Sequence, residues 1–157
     1  MNYLEPRVAT LDDIGTLVRH RAEMFAEMGK PRDAQFAAMV AQCDGWFRTH
    51  VENGTYIGFL IAPVDAPATV VAGGGLLLLD WPPTHRDPQP LRGYILNVYV
   101  EPEHRRRGLA RAATLACLDE CRKRGIRLAT LHAADAARSL YERLGFALTN
   151  EMRLELS

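Results

Sequence analysis

The sequence predicts a mixed α/β fold around a central sheet, and three observations predict it. Apolar residues recur at helical spacing in four segments, strand-type runs fill the middle of the chain, and the elements alternate as β-α-α-β-β-β-α-β-α-β. At 157 residues the chain suits one compact domain, expected to span 1–157, without repeats or low-complexity tracts.

A short strand is expected over Leu4–Ala9. Thr10, with Asp12 and Asp13 behind it, opens a helix carrying Ile14, Leu17, Val18, Ala22 and Phe25 on one face, and Gly29 and Pro31 stop it. A second helix is expected from Asp33 to His50, with Phe36, Met39, Val40, Cys43 and Phe47 aligned and Gly45 as a weak point. Strand texture follows at Tyr56–Ile61, at Thr69–Val71 and at Leu76–Leu79, and the glycines 73–75 between the last two suggest a bent strand. Pro82, Pro83, Pro88 and Pro90 mark a loop from Asp80 to about Arg92. The next strand runs from Gly93 to Val100 and ends at Glu101-Pro102. A helix then covers Gly108–Arg124, its last turn rich in Arg122, Lys123 and Arg124, which suit the negative end of the helix dipole before Gly125. A strand (Leu128–His132), a short helix (Ala136–Leu144) stopped by Gly145, and an extended stretch to Leu156 complete the chain.

Composition narrows the function classes. Hydrophobic residues make up 48% and charged residues 24%, so disorder is excluded as a description of the whole. The charges balance at 19 Lys+Arg against 19 Asp+Glu, which argues against a protein held on nucleic acid by its overall field. The longest uncharged apolar stretch, Ala66 to Leu79, is too short to cross a bilayer, and the first residues read as no export signal. No membrane association and a cytoplasmic location are therefore expected. Cys43, Cys117 and Cys121 then read as reduced, structural thiols, and no metal site is expected from them.

The stretch Val98-Tyr99-Val100-Glu101-Pro102-Glu103-His104-Arg105-Arg106-Arg107-Gly108-Leu109-Ala110 carries the most chemistry. It is a strand, a turn and a helix start, with glycine at the bend. A helix N-terminus has unpaired N–H groups and a partial positive charge, so it holds phosphate, and small residues at 108 and 110 let an anion approach. Arg105, Arg106 and Arg107 add local positive charge. No Gly-Lys-Ser/Thr and no G-x-G-x-x-G is present, so a pyrophosphate-bearing carrier suits the turn better than ATP or NAD. A second constellation runs from Ala137 to Phe146. There Ala137, Leu140, Tyr141 and Leu144 share one helix face. That spacing favours packing for Tyr141, while its hydroxyl also allows a role as proton donor.

Together the two segments resemble the GNAT superfamily of acyl-CoA-dependent N-acetyltransferases. The shared features are Val100-Glu101-Pro102, the Arg105–Ala110 turn of form R-x-x-G-x-A, and Ala137–Phe146 with its Tyr and Gly-Phe, over roughly residues 93–147. The resemblance implies the single-domain GNAT fold: a mixed, mostly antiparallel sheet splayed in a V and flanked by about four helices. It implies acetyl-CoA as cosubstrate, with the backbone of Val98, Tyr99 and Val100 along the pantetheine arm. The N–H groups from Arg105 through Arg106, Arg107, Gly108, Leu109 and Ala110 to Arg111 would lie at the pyrophosphate. Tyr141 falls on the position that often protonates the departing thiolate. Many members have Asn where this chain has Ala134, so that pantetheine contact is absent or supplied otherwise.

The activity implied is acetyl transfer from acetyl-CoA to a primary amine of a small molecule or peptide, by direct attack in a ternary complex. No metal and no nucleic acid take part, and a homodimer is compatible. A CoA-binding sensor without turnover is the rival reading, and a nucleic-acid-binding domain using Arg105–Arg107 is a weaker one. The acceptor amine must lose a proton, and Asp80, His132, Glu23 or water could take it. Arg19, Arg21 and Glu23 lie on the segment that covers the acceptor in this family, with Trp46 and Trp81 as further walls.

Overall fold

The computed structural model describes residues 2–156; Met1 and Ser157, the ends of the expected 1–157 domain, lie outside the described residues. Five strands form one sheet in the order β1-β2-β3-β4-β5. They are β1 (Arg7–Val8), β2 (Tyr56–Ile61), β3 (Ala72–Asp80), β4 (Leu91–Val100) and β5 (Ala129–Leu131). The first three pairings are antiparallel and β4·β5 is parallel. The helices are α1 (Ile14–Glu27), α2 (Ala34–Glu52), α3 (Leu109–Lys123) and α4 (Arg138–Arg143). The mixed, mostly antiparallel sheet with four flanking helices is the architecture expected.

Helix entry is built as the sequence suggested. Before α1, the Thr10 N–H donates to Asp13 Oδ2 at 2.8 Å, and Arg7 clamps the same carboxylate through two nitrogens at 2.8 and 2.7 Å. Arg7 holds the Asp13 carboxyl at about 2, well below the usual carboxylate range. At α2, Asp33 accepts from the Phe36 N–H at 2.9 Å, and the helix passes through Gly45 unbroken.

Alternation along β2 divides the core. Tyr56 and Leu60 face α1 and α2, where they pack with Ile14, Leu17, Cys43 and Phe47. Ile57, Phe59 and Ile61 face α3, toward Cys117, Cys121 and Ala113. All three cysteines are buried free thiols, and burial pushes Cys117 and Cys121 above the usual thiol range.

A β-bulge sets the geometry of β4. Gly73 pairs with Tyr99 and Gly75 with Leu96, so Asn97 and Val98 together oppose Gly74. Asn97 takes φ of 55°, in the left-handed region that asparagine tolerates. The extra residue flips the strand's phase. Before it, Ile95 packs toward Cys117 on the α3 face. After it, Val100 packs with Leu109 and Ala113 on that face, whereas Asn97 turns toward α1 and α2. The bend expected at the glycines is thus realised by an extra residue in the facing strand.

Three local expectations differ: the first strand, expected over Leu4–Ala9, is only Arg7–Val8, and two more follow. The strand expected at Thr69–Val71 begins only at Ala72. The C-terminal stretch 147–156 joins no strand, and Leu148, Met152, Leu154 and Leu156 are exposed. Its apolar alternation fits a strand, but the neighbouring β5 is three residues long and offers little edge to pair with.

Candidate active site

The turn between β4 and α3 leads through two left-handed residues into the N-terminus of α3. Arg106 and Gly108 have φ of 61° and 80°, and these left-handed residues fold the chain back toward the helix start. A Cβ on Gly108 would meet nothing within 4 Å, so the space before the helix is open. The first-turn N–H groups of Leu109, Ala110 and Arg111 have no intrahelical acceptor. Leu109 is buried in the α3 core and fixes the helix on the sheet. Arg106, Arg107 and Arg111 are exposed.

Arg105 is exposed, but its donors are taken by other parts of the protein. Its N–H donates to Pro102 O at 3.3 Å, its Nε to Val100 O at 3.0 Å, and its Nη2 to both Glu27 oxygens at 2.6 and 2.5 Å. This side chain braces the turn against α1. The surface is therefore cationic through Arg106, Arg107 and Arg111.

Beside this turn the sheet opens. The β4·β5 pairing covers only Gly93↔Ala129 to Ile95↔Leu131, so β4 beyond Ile95 has no strand on its β5 side. The Glu101 N–H donates to Val71 O toward β3, and alternation then directs Val98 and Val100 backbone groups into the splay. Tyr99 faces the other way; it is buried beside His20, and burial pushes its hydroxyl up to about 12.

Tyr141 is 8% exposed on α4, its ring edge-on to Phe146 at 5.9 Å. Among the described residues no side chain or carbonyl hydrogen-bonds its hydroxyl. Burial raises its pKa, which keeps the phenol protonated. It lines a groove of about 640 Å³ along the β5 edge, with Leu131, His132 and Phe146. Ala134 is exposed at the start of a 3-10 turn, Asp135–Ala137.

On the opposite face a cavity of about 250 Å³ lies between α1, α2 and the bulge. Its walls include Arg21, Met39, Gln42, Trp46, Leu96 and Asn97. Asn97 is buried; its Oδ1 accepts from Arg21 Nη1 at 2.6 Å, and its Nδ2 donates to Tyr56 Oη at 3.2 Å. Trp46 is fixed by stacking on His50 at 3.9 Å and by edge contacts with Phe47 and Tyr56. Gly75 makes room for this network, since a Cβ there would collide with the Tyr56 ring and hydroxyl.

The candidate bases are scattered. Asp80 pairs with Leu91, six residues before Asn97, or about 20 Å of extended strand away. That separation removes it from the splay. Glu23 is bound by Arg32 at 2.9 and 2.8 Å. His132 stands at the mouth of the splay, where its Nδ1 meets the Tyr94 hydroxyl. Arg19 pairs with Glu101, and Trp81 lies under Arg92 at 4.2 Å, outside the cavity. Sequence reasoning missed Asn97, Tyr56, Met39 and Gln42. The one local signal was Asn97 itself, a buried polar residue inside an apolar strand.

The sequence profile of the acetyltransferase (GNAT) family matches residues 19–146. A GCN5-related N-acetyltransferase from Ralstonia eutropha JMP134 is 36% identical, with 99% of each chain covered and a TM-score of 0.90. A predicted acetyltransferase from Clostridium acetobutylicum, solved with acetyl-CoA, is 27% identical over 99% of this chain and 95% of its own, with a TM-score of 0.84. A possible acetyltransferase from Clostridium difficile 630, 20% identical over 98% of this chain and 96% of its own, shares the fold with a TM-score of 0.75. No curated protein sequence matches.

Proposed function

Because this chain belongs to the acetyltransferase (GNAT) family, we propose that it moves an acetyl group from acetyl-CoA to a primary amine by direct attack in a ternary complex. The observation that carries this reading is the bulge, where a splayed strand edge and an open side-chain pocket meet at Asn97-Val98. The N–H groups from Arg106 to Arg111 hold the pyrophosphate, and the Val98 and Val100 backbone orients the pantetheine arm. Open space at Gly108 and the strandless edge of β4 fit that group.

The acceptor enters from the α1/α2 face. Its nitrogen attacks the thioester carbonyl, an N–C bond forms and the C–S bond breaks. Tyr141 donates its proton to the departing sulfur; burial keeps that proton in place at neutral pH. The nitrogen's proton leaves to water at the splay mouth, beside His132. The reaction proceeds in a single domain spanning 1–157, in the cytoplasm, where the three thiols stay reduced. No helix among the described residues is long and apolar enough to cross a membrane, and no cluster there could hold a metal ion.

Release of CoA thiol from acetyl-CoA in the presence of an amine panel tests the activity. Tyr141→Phe is expected to bind acetyl-CoA within a few-fold and to lose about 10- to 100-fold in kcat. A folded Phe variant with full kcat would remove the acid role and leave the binding site intact.

A further inference from the structure

The cavity beside the bulge contains a charge for which the described residues provide no carboxylate partner. Every other arginine around α1 has its own carboxylate: Arg7 has Asp13, Arg19 has Glu101, Arg32 has Glu23 and Arg105 has Glu27. Arg21 instead donates to the neutral amide of Asn97 and lies over the Phe25 ring at 4.9 Å. It is half-buried, and among the described residues no carboxylate pairs with it. It is also the only formally charged residue lining the cavity among the described residues. A half-buried guanidinium with unused donors is a planar fork suited to an oxyanion.

We propose that the acceptor is a small amine carrying a carboxylate a few bonds from its nitrogen, with Arg21 holding that carboxylate. The proposal rests on the acetyl-transfer reading and names the substrate class of the same site. Arg21 reaches Asn97 directly, so an anion on its other nitrogens stays close to the bulge and hence to the attacking nitrogen. Met39, Trp46 and Leu96 give the acceptor an apolar body to bury. The cavity volume of about 250 Å³ limits that body to a small molecule. With no acid in the lining, nothing there would hold the second ammonium of a polycation. The same positive charge disfavours the protonated form of the incoming amine, which must be neutral to attack.

The test uses matched pairs differing by the carboxylate: L-phenylalanine and 2-phenylethylamine, L-leucine and 3-methylbutylamine, 4-aminobutyrate and propylamine. Binding to the CoA complex is read by quenching of Trp46 emission in a Trp81→Phe background, and turnover by CoA thiol release. At least one acid is expected to bind about 10-fold or more tightly than its partner and to be acetylated in preference to it. Arg21→Gln should bring that ratio to within about 2-fold, and Arg21→Lys should keep part of it, with acetyl-CoA affinity unchanged in both. Acids that bind no better than their amines, or equally well in Arg21→Gln, would overturn the proposal whatever the turnover; the wild-type ratios decide even if a variant misfolds. Arg21-dependent binding of acids without any acetyl transfer would support the anion site and remove the proposed activity.

Discussion

In the proposed function, the two faces of the splayed sheet recognise their ligands by different means. On the α3 side, a contiguous turn presents backbone N–H groups, and only Gly108 and the left-handed Arg106 need special conformations. On the α1/α2 side, the cavity is assembled from side chains far apart in sequence, as in the Arg21–Asn97 contact, which spans 76 residues. On that proposal the backbone site asks only for a phosphate, a group shared by all substrates of one cosubstrate type. The side-chain site decides what else enters. A contiguous backbone motif can be read from a sequence, whereas a cavity that depends on strand phase has to be seen folded.

The strongest way to break this comparison is at the turn. Gly108→Asp puts a carboxylate at the proposed phosphate position and also forces a side chain onto a φ of 80°. With acetyl-CoA at about 100 times Kd, the wild type should gain roughly 2.7 kcal/mol, a rise of roughly 5–10 °C in Tm. The Asp variant should show no such rise. Gly108→Ala isolates the strain, which costs about 1–2 kcal/mol, and should keep most of the ligand response. An Asp variant with unchanged acetyl-CoA affinity would move the phosphate site elsewhere.

A smaller effect is expected at the bulge. Asn97→Gly keeps a residue at ease with φ of 55° but removes the amide that links Arg21 to Tyr56. Losing one partner of a buried hydrogen bond costs about 1–3 kcal/mol. Acceptor kcat/KM should fall about 10-fold or more while acetyl-CoA Kd stays within about 2-fold, because the turn is separate. Equal loss of both would mean that the two faces act as one unit.

How much was legible follows the same division. β2 begins and ends at Tyr56 and Ile61 as the apolar run indicated, and α3 falls within one residue of the expected Gly108–Arg124 at each end. The turn at Arg105–Ala110 lies where strand and helix signals adjoin. Arg105 shows the limit: its sequence neighbours suggested a phosphate ligand, and a helix 78 positions earlier supplies Glu27 instead. The bulge was half visible. Three glycines marked the bend in β3, but the extra residue sits in β4, and no periodicity of β4 alone reveals that Asn97 and Leu96 share a wall. Asp80 looked available as a strand-end carboxylate until antiparallel pairing placed it at the far end of β4.

A pH-dependent effect, absent at pH 7, lies at the joint between the faces, where α1 meets the end of β4. His20 is 3% exposed, packed on Tyr99 at 5.0 Å, with Glu101 at 3.9 Å and the Arg19 Nη2 at 3.3 Å from its Nε2. Arginine can only donate, so Nε2 accepts and the ring is neutral with its proton on Nδ1. Burial first, then the Arg19 charge, depress its pKa to about 4, against an upward pull from Glu101. Above pH ~6.5 the ring is neutral in both folded and unfolded chains and costs nothing. As pH falls from there to about 4, the unfolded chain takes up a proton that the folded one refuses, so stability declines. Below pH 4 the loss levels off. Two to three pKa units correspond to roughly 3 kcal/mol over the whole window, or roughly 5–10 °C in Tm. The Asp13 contribution falls in a different window, lost only as pH drops below ~3.9 toward 2. Melting curves between pH 7 and 4.5 should therefore slope downward in the wild type and flatten in His20→Gln, even if that variant is less stable at pH 7. An unchanged slope in His20→Gln would mean that His20 takes up its proton equally in the folded and unfolded chains, with Glu101 offsetting burial and Arg19 at the joint.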